Sequence, residues 1–205
     1  LQDLLDGDLG NCGPVVRAAI QLLSCNPSDS AEILIKASQH HNVQTRRETA
    51  SSLQRIASDD FRLALSLMDT LLADKDSDVR VISATYLASL ARSDRHLFIE
   101  KAKPALERSE VRLTKRIVDS AIREYLSSDS FDRAGLLPLA WASSDQSTKS
   151  KLAGLIIQQS EENYEGFADT CRRFREIGND TFSDLKSFIL RRDSSMEEKL
   201  SKLQD

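Results

Sequence analysis

Cationic residues recur along the chain near the starts of successive helical segments: Arg17, Arg46, Arg80, Arg112 and then Lys149. Guanidinium groups bind phosphate and carboxylate oxygens bidentately, so one interpretation is a ladder that holds a phosphate backbone or an acidic peptide. The other is a structural ladder, in which each cation pairs with an acidic residue of a neighbouring turn, such as Asp78. Because turn acids accompany the arginines, we favour the structural ladder.

A second set of cations lies one or two turns further along the same segments. The helix predicted over 110–127 has an apolar stripe formed by Ile117, Val118, Ala121, Ile122, Tyr125 and Leu126. Its cations therefore project from other faces, and Arg116 and Arg123, seven residues apart, should project in similar directions. Asp119 and Glu124 could neutralise part of this patch. The partner-binding residues predicted from the sequence are Arg47, Arg55, Lys115, Arg116 and Arg123.

Motifs for catalysis or metal binding are absent from the sequence. There is no Gly-rich phosphate loop, no HExxH and no G-x-S-x-G. The adjacent His40 and His41 would diverge on a helix, and His96 is distant from both. The cysteines form no CxxC, which favours buried free thiols: Cys12, Cys25 and Cys171. We expect no enzymatic activity, no metal site and no cofactor.

Helical periodicity dominates the segments that must position these cations. An apolar stripe predicts a helix over about 59–73, formed by Phe61, Leu65, Met68, Leu71 and Leu72. The turn 74–78 ends this helix. A second helix should follow, with an apolar face of Val79, Ile82, Tyr86, Leu87 and Leu90. Low aromatic content (5%) and the absence of hairpin turn signals argue against β-structure.

The hairpin defined by these two helices repeats at a fixed interval. Apolar residues recur 34 positions apart at Leu72, Leu106, Ala140 and Phe174, and Pro104 and Pro138 have the same spacing. This register predicts hairpins at about 28–57, 59–91, 94–127, 130–160 and 162–192. A half-unit at 1–27 would precede them, and a terminal cap helix at 194–205 would follow.

With these residues in place, the chain resembles the HEAT repeat family and, more loosely, armadillo repeats. Residues 61–91 carry the family's Asp-containing turn and Val-Arg start at Asp76, Asp78, Val79 and Arg80, and residues 98–126 carry Pro104, Val111 and Arg112. Other units depart from the family pattern. Thr45-Arg46 replaces Val-Arg in the hairpin at 28–57, and Lys149 keeps only the positive charge in the hairpin at 130–160. The resemblance implies an all-α, right-handed α-solenoid of about five to six hairpins, with the second helices lining a concave face.

The function expected from this resemblance is a non-enzymatic scaffold that binds an acidic peptide or a helix of another protein on its concave face. The alternative is a nucleic-acid-binding HEAT-like domain, including the DNA glycosylase type, in which aromatic residues lie on a basic concave face. Trp141, the single tryptophan, would either pack at the end of its helix or form a small exposed binding anchor.

Composition sets further limits on these expectations. The chain has 205 residues, 28 Lys and Arg against 32 Asp and Glu, and a net charge of -4, which disfavours a protein dedicated to neutralising phosphate. No linker-like tract divides the chain, so we expect one repeat domain over 1–205. No apolar stretch is long enough to cross a membrane, and we expect a cytoplasmic protein, with the nucleus as the alternative. Because residue 1 is Leu, we expect a piece of a longer polypeptide.

Overall fold

The computed structural model describes residues 12–128, 132 and 134–203. Helices are the only regular secondary structure in this part of the chain, which contains no strand, so the predicted all-α class is confirmed. None of its helices is long and apolar enough to span a membrane. The chain divides into two compact units, Leu1–Ser89 (unit 1) and Leu90–Asp205 (unit 2). The predicted continuous array over both units stays a prediction.

Unit 1 consists of short helices joined by tight turns. In chain order they are α1 (Gly13–Leu22), α2 (Pro27–Ser38), α3 (Val43–Ser51), α4 (Leu53–Asp59), α5 (Phe61–Leu72) and α6 (Ser77–Ser83), then a 3₁₀ turn (Ala84–Tyr86) and α7 (Leu87–Ser93). The boundary with unit 2 falls within α7. The first helix expected for the half-unit at 1–27 lies outside the described residues.

Unit 2 continues with longer helices. They are α8 (Arg95–Glu107), α9 (Val111–Ile117), a π turn (Val118–Ile122), α10 (Arg123–Ser128), α11 (Leu136–Ala142), α12 (Gln146–Glu162), α13 (Tyr164–Ile177), α14 (Asn179–Arg192) and α15 (Met196–Ser201). The predicted cap helix at 194–205 is present as α15, and residues 204 and 205 lie outside the described part of the chain.

Within each unit, helices pack with their counterparts in the adjacent hairpin. In unit 1, α2 packs beside α5 and α3 packs beside α6. In unit 2, α11 packs beside both α8 and α13, and α12 packs beside α14. First helices therefore contact first helices, and second helices contact second helices, while the two helices of a hairpin also pack on each other.

The 34-residue register of apolar positions marks buried residues near the ends of first helices. The four side chains are all buried, in α5, α8, α11 and α13 respectively: Leu72, Leu106, Ala140 and Phe174. Burying a Leu or Phe side chain contributes roughly 1.5–3 kcal/mol, so Leu72, Leu106 and Phe174 stabilise their hairpins through the core.

The predicted apolar stripe of α5 was right at Met68, Leu71 and Leu72 and wrong at Phe61 and Leu65. Phe61 is the first residue of α5 and is 41% exposed, while Leu65 is only half-buried. Asp60 caps the helix by accepting a hydrogen bond from the Leu63 N–H at 2.9 Å. The buried face is instead Leu63, Ala64, Leu67, Met68, Leu71 and Leu72.

The second helices of the first three described hairpins are interrupted, although the sequence predicted continuous helices. Ser52 separates α3 from α4, and its hydroxyl donates to the Glu48 carbonyl at 2.8 Å. Ser83, whose hydroxyl donates to the Val79 carbonyl, precedes the 3₁₀ turn of the next hairpin. Ser120 lies within the π turn and donates to the Arg116 carbonyl. Hydroxyl bonds to carbonyls four residues back can bend helices, and one such bond lies at each of the three breaks.

Pro104 and Pro138 share a spacing but not a position in their helices. Pro104 lies in the interior of α8. Pro138 is the third residue of α11, where its missing N–H breaks no intrahelical bond. Helix α11 begins at Leu136, only two residues before Pro138. Asp132 caps this start by accepting hydrogen bonds from the N–H groups of Leu136 (2.9 Å) and Leu137 (2.8 Å). The two prolines therefore keep the same place relative to the register residues Leu106 and Ala140, but only Pro104 lies in the interior of its helix.

Candidate functional site

Arg46 is the fourth residue of α3 and is buried. Its Nε lies 2.7 Å from Asp74 Oδ2 and its Nη2 lies 3.1 Å from Asp74 Oδ1, in the turn of the next hairpin. Its Nη1 also donates to the carbonyls of His40 (2.7 Å) and His41 (3.0 Å). One guanidinium thus joins α3 to two turns of chain, and all three of its nitrogen atoms already donate within the protein.

Two other fourth positions in second helices also carry a cation. Arg80, the fourth residue of α6, donates to the carbonyl of Asp74. Lys149, the fourth residue of α12, lies 2.7 Å from Asp184 Oδ2 in the next hairpin. In α9 the fourth residue is Thr114, which is buried, and Arg112 is the second. Arg112 therefore does not share the helix position of Arg46 and Arg80.

Arg17 and Arg47, which occupy fifth positions, also pair with carboxylates of the following hairpin. Arg17 lies 2.7 Å from Glu48 Oε1. Arg47 Nη2 lies 2.7 Å from Asp78 Oδ2 and 3.2 Å from Asp76 Oδ1. Partial burial would raise the pKa of Asp76, but hydrogen bonds from the Val79 N–H and from Arg47 outweigh it and lower that pKa. Arg47, predicted as a partner-binding residue, is thus bound into an ion-pair network of unit 1.

The other predicted binding residues are exposed and divided between the units. Arg55 lies on α4 of unit 1, whereas Lys115 and Arg116 on α9 and Arg123 on α10 belong to unit 2. Arg55, Arg116 and Arg123 form no ion pair with any carboxylate in the described part of the chain. These side chains are therefore available to bind an anion.

The π turn between α9 and α10 changes the direction of Arg123. Each α-helical residue turns the chain by roughly 100°, so an extra residue in a turn rotates everything after it by about that amount. Buried residues accordingly follow at four-residue spacing, at Leu113, Ile117, Ala121 and Tyr125. Arg123 therefore shares its face with Asp119 and not with Arg116, and the predicted common direction of the two arginines is wrong.

A basic groove lies beside Arg123, between the second helices of unit 2. Its volume is about 450 Å³, and its walls come from the π turn and α10, from α12, and from the last residue of α14. We name this feature the second-helix groove and define it by its polar lining residues, which are Asp119, Arg123, Lys151, Gln158 and Arg192. Val118, Gly154 and Leu155 complete the lining.

The second-helix groove carries a positive charge. Lys151 Nζ lies 2.6 Å from Asp119 Oδ1, so this lysine and the one lining carboxylate largely neutralise each other. Arg123 and Arg192 remain, and neither pairs with a carboxylate of the described residues. Two guanidinium groups in one groove can bind carboxylates or phosphates through charge-assisted hydrogen bonds.

Gly154 allows Arg192 to approach the backbone of α12. A Cβ atom at Gly154 would lie 3.1 Å from Arg192 Cζ and 3.2 Å from both Nε and Nη2. The Arg192 Nη1 atom lies 3.3 Å from the Ser150 carbonyl oxygen, to which it donates. Glycine in the interior of a 17-residue helix costs about 1 kcal/mol relative to alanine, and here this close approach accounts for its presence.

Trp141 is not an exposed binding anchor, because it is 1% exposed and packs at the end of α11. Its ring makes edge contacts with Phe174 and Phe188, at centroid distances of 5.6 and 5.2 Å. Its Nε1–H donates to Asp184 Oδ2 at 3.1 Å, the same oxygen that Lys149 contacts. Trp141 therefore helps to hold successive hairpins of unit 2 together.

Groups suited to metal binding or nucleophilic chemistry are not assembled in the described residues. No group of three or more His, Cys, Asp or Glu side chains there could hold a metal ion. Burial raises the pKa of the Cys171 thiol to about 12, which keeps it protonated at neutral pH. Cys12 is also buried and Cys25 is exposed.

Five of the groove residues were missed in the sequence: Lys151, Gly154, Leu155, Gln158 and Arg192. The lysine and glycine lie mid-helix, three residues apart on α12, and Arg192 comes from the next hairpin. Their common face could have been found by extending the predicted second-helix register to the last two hairpins. The π turn, which decides the direction of Arg123, could have been found from the four-residue spacing of Leu113, Ile117, Ala121 and Tyr125.

Comparison of the chain with models of protein families, with curated proteins and with solved structures gives no match in any of the three.

Proposed function

We propose that this protein is a non-enzymatic, HEAT-like α-solenoid scaffold that binds an acidic segment of another protein in the second-helix groove of unit 2. The solenoid part of the proposal is supported by the packing of first helices on first helices and of second helices on second helices within each unit. It is also supported by the 34-residue spacing of buried positions.

The observation that carries the binding proposal is the charge of the groove. A protein with a net charge of -4 concentrates Arg123, Lys151 and Arg192 around one recess that contains a single carboxylate. A local positive potential on an acidic protein attracts anionic segments. The groove is therefore a better binding surface for them than the uncharged parts of the protein. The predicted residues Arg47 and Arg55 are not part of this proposed surface.

Direct binding of a defined peptide tests the proposal. The probe is a short fluorescein-labelled peptide of alternating Glu and Gly, and its matched control replaces each Glu with Gln. Fluorescence anisotropy at low ionic strength should show saturable binding of the Glu peptide alone. Equal binding of both peptides, or no binding of either, contradicts the proposal.

A pair of charge reversals on adjoining helices locates the surface. Arg123→Glu should weaken binding of the Glu peptide by about tenfold or more, since it replaces an attractive charge with a repulsive one. Arg116→Glu changes the net charge equally but lies on another face, so it should weaken binding less than about twofold. If the two variants weaken binding to the same extent, the groove is not the site.

Nucleic acid binding is distinguished in the same assay with single-stranded RNA of mixed sequence. Neutralised phosphates release counterions, so nucleic acid affinity falls steeply with salt. If RNA binds more tightly than the Glu peptide and Arg123→Glu abolishes that binding, the occupant is nucleic acid and the acidic-segment proposal is overturned.

A further inference from the structure

We infer that Gly154 is a positioning residue, which fixes Arg192 in the second-helix groove so that Arg192 orients the acidic segment. This inference rests on the proposed function and adds a determinant of specificity to it. It concerns how the cation is held rather than whether the groove is basic.

The absence of a side chain at Gly154 is what allows the contact. Three guanidinium atoms of Arg192 lie 3.1 to 3.2 Å from the place where a Cβ would be, closer than a side-chain carbon ordinarily comes. A substitution at 154 therefore moves the end of a flexible arginine, because the alternative is to move the backbone of α12. Alanine at position 154 would shift the guanidinium of Arg192 by a few tenths of an ångström. A longer side chain at that position would displace the guanidinium altogether.

Ser150, one helical turn before Gly154, restrains the same guanidinium. Arg192 Nη1 lies 3.3 Å from its carbonyl oxygen and 3.4 Å from its hydroxyl oxygen. These two contacts favour the rotamers of Arg192 that lie against α12, so fewer rotamers are populated before a ligand arrives. Pre-organisation of this kind improves affinity, because less ordering remains to be done on binding.

Arg123 and Arg192 therefore play different parts. Arg123 projects from α10 without an ion pair to any described carboxylate, and it supplies charge from a side chain that can adapt. Arg192 supplies a planar fork in a fixed place, and a fixed fork selects carboxylates that arrive in one orientation. The structure thus assigns orientation of the segment to the Gly154–Arg192 contact.

A double-mutant cycle tests this assignment with the Glu and Gly peptide as the probe. Arg192→Ala should weaken binding about tenfold, and Gly154→Gln should weaken it to a similar extent, with Gly154→Ala between Gly154→Gln and the parent. Adding Gly154→Gln to Arg192→Ala should cause little further loss. If Gly154→Gln weakens binding equally in the presence and absence of Arg192, the glutamine merely fills the groove and the inference is overturned.

Folding and function are separated by two further readouts. Gly154→Ala should not lower the melting temperature, because alanine favours the helix more than glycine does. In the unbound protein, ¹⁵N relaxation of the Arg192 Nε–H should show greater motion in Gly154→Gln than in the parent, and unchanged motion would overturn the inference even if no peptide binds. If Arg123→Glu weakens binding while Gly154→Gln and Arg192→Ala do not, this inference fails and the proposed function stands.

Discussion

Arg46 and Asp74 form a bidentate ion pair that joins α3 to the turn after α5. The distances are 2.7 Å from Nε to Oδ2 and 3.1 Å from Nη2 to Oδ1, and the two side chains are 5% and 6% exposed. Because the same guanidinium also bonds the carbonyls of His40 and His41, it fixes the turn that precedes its own helix. The pair replaces solvent around two charges with fixed partners, which makes it costly to break on one side only.

Removing one partner of this pair should destabilise unit 1 strongly. Arg46→Met leaves Asp74 buried without its cation, and we expect a loss of about 3–5 kcal/mol in the free energy of unfolding. The double variant with Asp74→Ala should lose less than the sum of the two single variants, because it leaves no isolated charge. Denaturant unfolding measures both.

The exposed ion pair between Arg17 and Glu48 provides the control. Its N–O distance is also 2.7 Å, but its side chains are 56% and 32% exposed. Arg17→Met should therefore cost less than about 1 kcal/mol. A similar loss for Arg46→Met and Arg17→Met would show that burial does not decide the stability of these pairs.

Lys149 and Asp184 should give unit 2 a stability that depends on pH. The hydrogen bond from Lys149 lowers the pKa of Asp184 below its ordinary 3.8, desolvation opposes this, and the Trp141 Nε1–H reinforces it. A carboxyl whose pKa is lowered by folding adds stability above pH 3.8, and this contribution is lost as pH falls through the folded value. Lys149→Met should therefore flatten the decrease in unfolding free energy on acidification.

Lys151→Met is the matched control for that experiment. Lys151 lies on the same helix and contacts Asp119 instead of Asp184. It removes the same charge from α12, so the two variants differ in the lost partner. If both profiles change alike between neutral pH and pH 3, the effect is one of net charge and not of the Lys149 bond.

The register of the hairpins could be read from the sequence because it depends on apolar spacing. Leu72 and Phe174 are buried because exposing large apolar side chains to water is unfavourable, and their spacing fixes the length of the repeat. The identity of ionic partners could not be read so directly. The sequence predicted that each arginine pairs with an acid of its own or the next turn, but not which acid: Arg46 binds Asp74, and Asp78 is bound by Arg47.

Rotation of the helices was harder to predict than their existence. Phe61 is more apolar than its neighbours, yet its place at the first turn of α5 leaves it exposed. Arg116 and Arg123 have ideal α-helical spacing, yet a π turn lies between them and separates their directions. Of the three breaks in second helices, only the π turn leaves a mark in the apolar pattern, the four-residue spacing from Leu113 to Tyr125.

Leu87→Ala should cost about 2–5 kcal/mol in the free energy of unfolding. Leu87 is fully buried, as the sequence predicted, and its truncation removes apolar contacts and leaves a cavity. Leu22→Ala is the control, because Leu22 is 44% exposed and its truncation should cost far less. A Leu87→Ala melting temperature within a degree of the parent would contradict its place in the core.

Asp132 is a fully buried carboxyl that three donors hold in place. The Tyr125 hydroxyl donates to Oδ1 at 3.0 Å, and the N–H groups of Leu136 and Leu137 donate to Oδ1 and Oδ2. Desolvation raises the pKa of Asp132 and is the largest cause, while the hydrogen bonds from Leu137, Leu136 and Tyr125 oppose it. The carboxyl both starts α11 and ties it to the end of α10.

Tyr125→Phe should therefore destabilise unit 2 more at neutral pH than in acid. The variant removes one donor to the charged form, so the pKa of Asp132 in the folded protein rises further above its ordinary 3.8. A group whose pKa is raised by folding contributes stability below its unfolded pKa and loses that contribution as pH rises through the folded pKa. Because the folded pKa of Asp132 is higher in the variant, the variant loses more stability than the parent between acid and pH 7. We expect a loss of about 1–3 kcal/mol at pH 7 and a smaller loss below pH 3.8, measured by denaturant unfolding.

Tyr164→Phe, at an exposed tyrosine, should change little at either pH. A Tyr125→Phe loss that is constant between acid and pH 7 would mean that Asp132 stays protonated in the folded protein over that range, so that the hydroxyl stabilises no carboxylate there.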